Sequence, residues 1–238
     1  MTVAASLNKE ISELHDFIFQ GVDLSNIVKD ALNNLSSSST QELMQALLSV
    51  ATLQKDLSTE EELVRALDAL QLEVDKSLAH KVHAGKNRCY DILLNSLEGA
   101  DPNINVLMCA AKSLTSLMTG QPDLLNARGI DAMFKNLTET VPSSVHAEVL
   151  RWAMQCCVKH EGNRQNLMKR GITKHLKQLL RSDMALSSAI KGACGLIRAL
   201  VLDDDVRVEF GLAHDHAKEL ASEILCTLVD LAKSESLV

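Results

Sequence analysis

Small and apolar side chains recur at helical spacing in three places along the chain. Ala110, Ser113, Leu114 and Leu117 stand at i, i+3, i+4 and i+7; a shift of 40 residues gives Leu150, Ala153, Met154 and Cys157, and another 40 gives Ile190, Ala193, Cys194 and Ile197. This is the period of an α-helix with one inward stripe. Nearer the N-terminus Leu63, Leu67, Leu70 and Val74 form a similar face. Polar punctuation separates these stretches. "NLSSSSTQEL" reads as a linker followed by a capping box, Ser39 with Glu42, and "LSTEEEL" repeats the device with Ser58 and Glu61.

Between the long helices lies a second pattern. "GQPDLLNARGI" (120–130) and "GNRQNLMKRGI" (162–172) align without gaps, each with Gly, Leu five positions on, Gly nine on, and then Ile. They continue in phase through Phe134 and Leu137 in one copy and Leu176 and Leu179 in the other. Gly85 opens a weaker copy with Tyr90 and Leu93, and Gly211 marks a fourth. The glycines at 85, 129, 171 and 211 therefore recur every 40 to 44 residues, the range of armadillo and HEAT repeats. Each unit predicts a short helix, a turn at the glycine, a helix of about ten residues and a longer third helix.

A helix that presents one apolar stripe per unit can bury it only against its neighbours. The predicted fold is therefore all-α, a right-handed α-solenoid of armadillo-like three-helix repeats. Residues 1–84 fit the repeat less well and are expected to be divergent helices capping the array; residues 85–238 are expected to hold three to four repeats of the same superhelix.

Composition agrees with packed helices. The chain is 46% hydrophobic, yet it has one Trp, one Tyr and four Phe, and only three Pro and ten Gly. A β-sandwich of this size would carry more turn residues and more aromatics. The formal net charge of −7 and the absence of a dominant basic face argue against nucleic acid as a partner. The basic cluster of Lys169, Arg170, Lys174, Lys177 and Arg181 reads as a solvated helix face. The six Cys, at 89, 109, 156, 157, 194 and 226, sit in apolar helical patterns rather than at framework spacings. They suggest buried thiols in a reducing, intracellular compartment, cytoplasmic or nuclear. No signal-peptide core is evident at the N-terminus, and no apolar stretch reaches the ~18 residues of a membrane span, so no membrane association is expected.

Four stretches resemble one family in particular. "QGVDLSNIVK" (20–29), "TGQPDLL" (119–125), "KHEGNRQNL" (159–167) and "DDDVRVEFGLAHDHAK" (203–218) are similar to the armadillo repeat-containing protein 6 family, over roughly residues 20 to 218. The resemblance implies an eukaryotic α-solenoid that acts as a protein-interaction scaffold without enzymatic activity. It covers the N-terminal half of the family, so residues 219–238 are either a native final helix or the edge of an interrupted repeat. Apolar surface at such an edge would be covered by a second copy in a homo-oligomer.

Two places carry candidate chemistry. On the third helices, counting 100° per residue away from the inward stripe places Met108, Lys112, Thr115 and Thr119 on the opposite face of one unit. The next unit places Glu148, Trp152, Gln155 and Lys159 there, and the last Ser188, Gly192, Gly195 and Ala199. This face is the expected groove for a protein or peptide ligand, with the single Trp as an anchor. The alternative is that Trp152 packs across a neighbouring helix. Gly192 and Gly195 each cost about 1 kcal/mol in a helix interior, so close packing, a kink or an approaching ligand backbone should offset them.

The second place is the 203–218 run, where Asp203, Asp205, His214 and His216 are weak metal candidates. His214 and His216, two apart, point about 200° from each other on a helix and share an ion only on an extended segment. The repeat instead predicts that Asp203 to Asp205 cap the short first helix of the last unit, and that His214 or Asp215 satisfies backbone groups at the next helix start. P-loop, nucleophile-elbow and dinucleotide motifs are missing, and neither an enzymatic activity nor a cofactor is expected.

Overall fold

The computed structural model describes residues 60–86, 88–98, 103–182, 185–208 and 215–235. The linker, the capping box Ser39 with Glu42, the cap Ser58, Gly211 and His214 lie outside them. Every regular element among the described residues is helical. The chain divides into two compact units, Met1–Leu117 and Met118–Val238.

In the first unit, α1 (Glu60–Asp75), α2 (Leu78–Lys86), α3 (Cys89–Glu98) and α4 (Ile104–Met118, whose last residue falls in the second unit) surround a core of Leu67, Leu70, Val74, Leu93, Leu94, Leu97, Ala110, Leu114 and Leu117. The stripe read from Leu67, Leu70 and Val74 is buried, and each fully buried leucine contributes about 2 kcal/mol. Ser113, within the α4 stripe, is buried with its single hydroxyl proton shared between Leu67 O at 3.1 Å and Cys109 O at 2.9 Å. Gly85 lies inside α2 rather than between helices. The reversal falls at Arg88, whose φ of 62° is left-handed.

The second unit begins with a 3-10 turn, Pro122–Leu124, and continues with α5 (Ala127–Lys135), α6 (Ser143–Cys157), α7 (Glu161–Arg170), α8 (Ile172–Leu180), α9 (Ser187–Leu200) and α10 (Asp215–Glu235). The long third helices α6 and α9 pack side by side, and α8 packs against α10. The two aligned glycine motifs fold differently. Gly171 takes φ 93° between α7 and α8, as a sharp turn requires. Gly129 is instead the third residue of α5, where its N–H donates to the Asn126 side chain that caps the helix. Pro122 shortens the first helix of this repeat to a single 3-10 turn.

The third-helix alignment also needs correction. With a shift of 40, Met154 is half-buried, Ile190 and Ile197 are half-buried, and Cys194 is exposed. A shift of 39 maps the wholly buried set Ala110, Ser113, Leu114 and Leu117 onto Val149, Trp152, Ala153 and Cys156, all buried as well. One residue rotates a helix by about 100°, enough to exchange a groove position for a core position.

Candidate functional site

That rotation decides the fate of Trp152. It is 0% exposed and among the largest fully buried side chains, and its indole Nε1 makes no hydrogen bond among the described residues. The packing alternative holds. Position 151 carries the outward register instead: the Arg151 side chain is 48% exposed and bonds both oxygens of Glu148, at 3.0 and 3.2 Å. Glu148 itself is buried, and Gln155 is half-exposed on the same outer strip.

The α9 positions turn by the same amount. A Cβ on Gly192 would stand 3.1 Å from Leu150 Cβ and 3.3 Å from Ala147 O, and one on Gly195 would stand 3.0 Å from Met154 Sδ. Gly192 therefore serves the close approach of α9 to α6, the reason a glycine is tolerated in a helix interior, whereas Gly195 faces only the flexible end of Met154. Ser188 is half-buried and Ala199 buried. The side chains that α9 turns to solvent are Ser187, Lys191, Cys194 and Arg198.

In the first unit Met108, Lys112 and Thr115 are half-buried along α4, while Thr119, just beyond it, is exposed. Met108 and Lys112 line a recess of about 220 Å³ whose other wall is Glu60, Glu61 and Val64 of α1. Asn105 Nδ2 donates across it to Glu60 Oε1 at 3.2 Å.

Lys159 is exposed at the end of α6 with φ 51°, and its backbone enters the densest polar cluster of the second unit. Arg164, 0% exposed, stands at the centre of this cluster. Its guanidinium donates to Cys157 O at 3.0 Å, Leu202 O at 2.5 Å and Glu161 Oε2 at 3.3 Å, and it pairs with Asp204. Asp204 also accepts from Lys159 N at 3.2 Å and Asp205 from Glu161 N at 2.8 Å. The aspartates therefore cap the first helix of the preceding repeat, α7, rather than a helix of their own. Residues 202–205 form no helix.

Arg207 clamps Asp205 through Nε to Oδ1 at 2.8 Å and Nη2 to Oδ2 at 3.0 Å, and reaches Asp123 Oδ1 at 2.9 Å. The Arg207 hydrogen bonds hold the Asp205 carboxyl well below the usual carboxylate range, helped by the backbone N–H groups of Glu161 and Arg207. Asp123 is lowered by the same guanidinium and by His160. His160 caps α7, accepting from Asn163 N at 3.1 Å through Nδ1 and bonding Asp123 through Nε2 at 2.9 Å. Asn163 Nδ2 then closes the cluster on Pro122 O and Cys156 O.

These contacts bear on the metal reading of the 203–218 run. Both Asp205 oxygens are taken up by Arg207 and Glu161 N. His216 faces two acceptors, Glu161 Oε1 at 3.2 Å and Leu200 O at 2.7 Å. His214 lies outside the described residues, and among those described no three His, Cys, Asp or Glu are grouped to hold a metal ion. Arg164, the hub, was not anticipated. It aligns with Pro122 in the repeat, and nothing in the spacing marks it as buried.

A cleft of about 600 Å³ lies elsewhere in this unit, lined by Leu137, Val141, His146, His175 and Leu179 among others. Burial pushes His146 down despite its 3.0 Å contact with Thr138 O, and His175 stacks edge-on against Phe134. Burial likewise pushes the Cys89 and Cys157 thiols up to about 12, which makes them inert at neutral pH. Cys194 and Cys226 are exposed. No helix among the described residues is long and apolar enough to cross a membrane.

Paired third helices, a turn at Gly171 and a recurrent unit of 40 to 44 residues define a helical-repeat protein of the α-solenoid class, with armadillo-like units. Known proteins agree. The chain is 36% identical over 225 residues to the Armadillo repeat-containing protein 6 homolog of Drosophila melanogaster, covering 92% of this chain and 48% of that protein. It is 30% identical over 214 residues to Armadillo repeat-containing protein 6 of Homo sapiens, covering 88% of this chain and 43% of that one, and 29% identical to the Pongo abelii protein of the same name over the same shares. The chain thus spans a little under half the length of these curated relatives. No family model matches it. An engineered protein of known crystal structure superposes with a TM-score of 0.61 at 16% identity, covering 94% of each chain, which shows the fold.

Proposed function

We propose that the chain is a non-enzymatic interaction scaffold that takes an extended peptide or a partner helix on the exposed face of its third helices. The observation that carries this reading is the division of labour on α6 and α9. Trp152 and Gly192 are committed to packing, whereas the outward strip, Arg151, Gln155, Lys191, Cys194 and Arg198, is partly or fully exposed to solvent. In the first unit Met108, Lys112 and Thr115 share one half-buried face of α4, and Lys112 is the residue that the shift of 39 maps onto Arg151. Side chains on helices locked by a packed interior are pre-organised, which lowers the entropic cost of binding. The armadillo name of the curated relatives supports the scaffold reading. So does the polar cluster around Arg164, whose ionic groups, among the described residues, are engaged with one another and with backbone.

Blocking the strip sterically tests the proposal. Gln155→Trp and Cys194→Trp should preserve helical circular dichroism and remove most of the proteins that wild type captures from a lysate, measured by quantitative mass spectrometry. Unchanged capture by folded variants would reject the third-helix face as the binding surface.

A further inference from the structure

The strip on the second unit has a charge that the whole chain does not. The chain carries a formal net charge of −7. Across α6 and α9 the cations are Arg151, Lys191 and Arg198, all exposed, and Glu148 is the only carboxylate in either helix. Glu148 is buried and already bound to Arg151. Lys191 and Arg198 form no ion pair among the described residues, and no acidic side chain of α6 or α9 reaches solvent beside them. Building cations alone into one face of an acidic protein has no evident value for stability, because surface charges contribute little to folding. Their value lies in attracting and orienting an anionic partner.

From this we infer that the exposed face of α6 and α9 receives an acidic segment of a protein partner, in extended conformation. The inference rests on the scaffold reading above and names the chemistry of its ligand. Lys191 and Arg198 are seven residues apart on one helix, a rise of about 10 Å at ~1.5 Å per residue. On an extended chain of the polyproline II type, with three residues per turn and a rise of ~3.1 Å per residue, carboxylates three residues apart lie on one side and are spaced by about 9 Å. Arg151, on the neighbouring helix, adds a planar donor group, its charge offset and its near side held in place by Glu148. Gln155, Ser187 and Cys194 between them are short or uncharged and leave room for a backbone to lie close. A long polyanion such as nucleic acid suits the face less well, because the net negative charge of the chain opposes it beyond the strip.

Fluorescence anisotropy of the intact chain with a labelled Glu-Gly-Ser-Glu-Gly-Ser-Glu peptide tests this, with the Gln-for-Glu peptide as control. The acidic peptide should bind at 50 mM salt, the Gln peptide at least tenfold more weakly. Lys191→Glu with Arg198→Glu should reduce binding of the acidic peptide at least tenfold, while Lys191→Gln with Arg198→Gln falls between. Equal binding of the acidic and Gln peptides, no binding of either, or undiminished binding by the charge-reversed protein overturns the proposal. So does single-stranded DNA that displaces the peptide at 150 mM salt, which would assign the strip to polyanions in general. If the acidic peptide fails while Gln155→Trp still abolishes capture, the acidic ligand is wrong and the scaffold reading stands. If neither responds, both fall.

Discussion

Trp152 shows how much rests on a single residue. A groove tryptophan and a core tryptophan differ here by one position of alignment, and the structure puts the indole at 0% exposure between its neighbours. Its removal is therefore a folding experiment. Trp152→Ala should destabilise the chain by about 3–5 kcal/mol, the range for truncating a large buried aromatic. Trp152→Phe should cost clearly less, since it keeps most of the apolar volume and removes a buried N–H that has no partner among the described residues. Urea unfolding followed by circular dichroism separates the two. A loss of less than 1 kcal/mol for Trp152→Ala would return the residue to the surface. Arg164 carries the complementary lesson. A wholly buried arginine between Glu161, Asp204 and two carbonyls is the most specific polar feature of the second unit, yet the aligned residue is Pro122, and no periodicity in the sequence distinguishes it from a solvated helix arginine.

At the scale of elements, the close packing of α6 and α9 makes a two-sided forecast. Gly192 faces the Leu150 Cβ and the Ala147 carbonyl, neither of which can move without moving α6. Gly192→Val should therefore cost about 1–3 kcal/mol, as overpacking does. Gly195 meets only the sulfur at the flexible end of Met154. Gly195→Ala should be neutral or stabilise by up to about 1 kcal/mol through helix propensity. Thermal melts of both variants decide this, and a reversed order would mean that the two helices are not packed at these glycines. The long helices were legible because their stripes repeat. Their phase was not, because shifts of 39 and 40 both bring apolar residues onto apolar residues, and only the buried volumes discriminate. The glycine motif misled for a related reason. Gly129 and Gly171 occupy equal places in sequence, but Pro122 and the Asn126 cap pull the first of them into a helix, while the second keeps its left-handed turn.

For the molecule as a whole, the 203–208 segment is best understood as a clasp. Asp204, Asp205 and Arg207 reach back about 44 residues to the start of α7 and tie successive repeats through charge-assisted hydrogen bonds. The aspartates, in the sequence weak metal candidates and otherwise helix caps, supply acceptors to N–H groups at the start of α7. With this segment committed to structure, the partner surface we propose is the outward strip of the third helices. Site-specific photocrosslinking tests that most directly. With p-benzoylphenylalanine at Gln155, and separately at Asn166 on the exposed side of α7, irradiation in cells should yield discrete adducts from position 155 that are missing from position 166. Adducts of the same size from both positions, or adducts from 166 alone, would contradict a binding surface on the third helices.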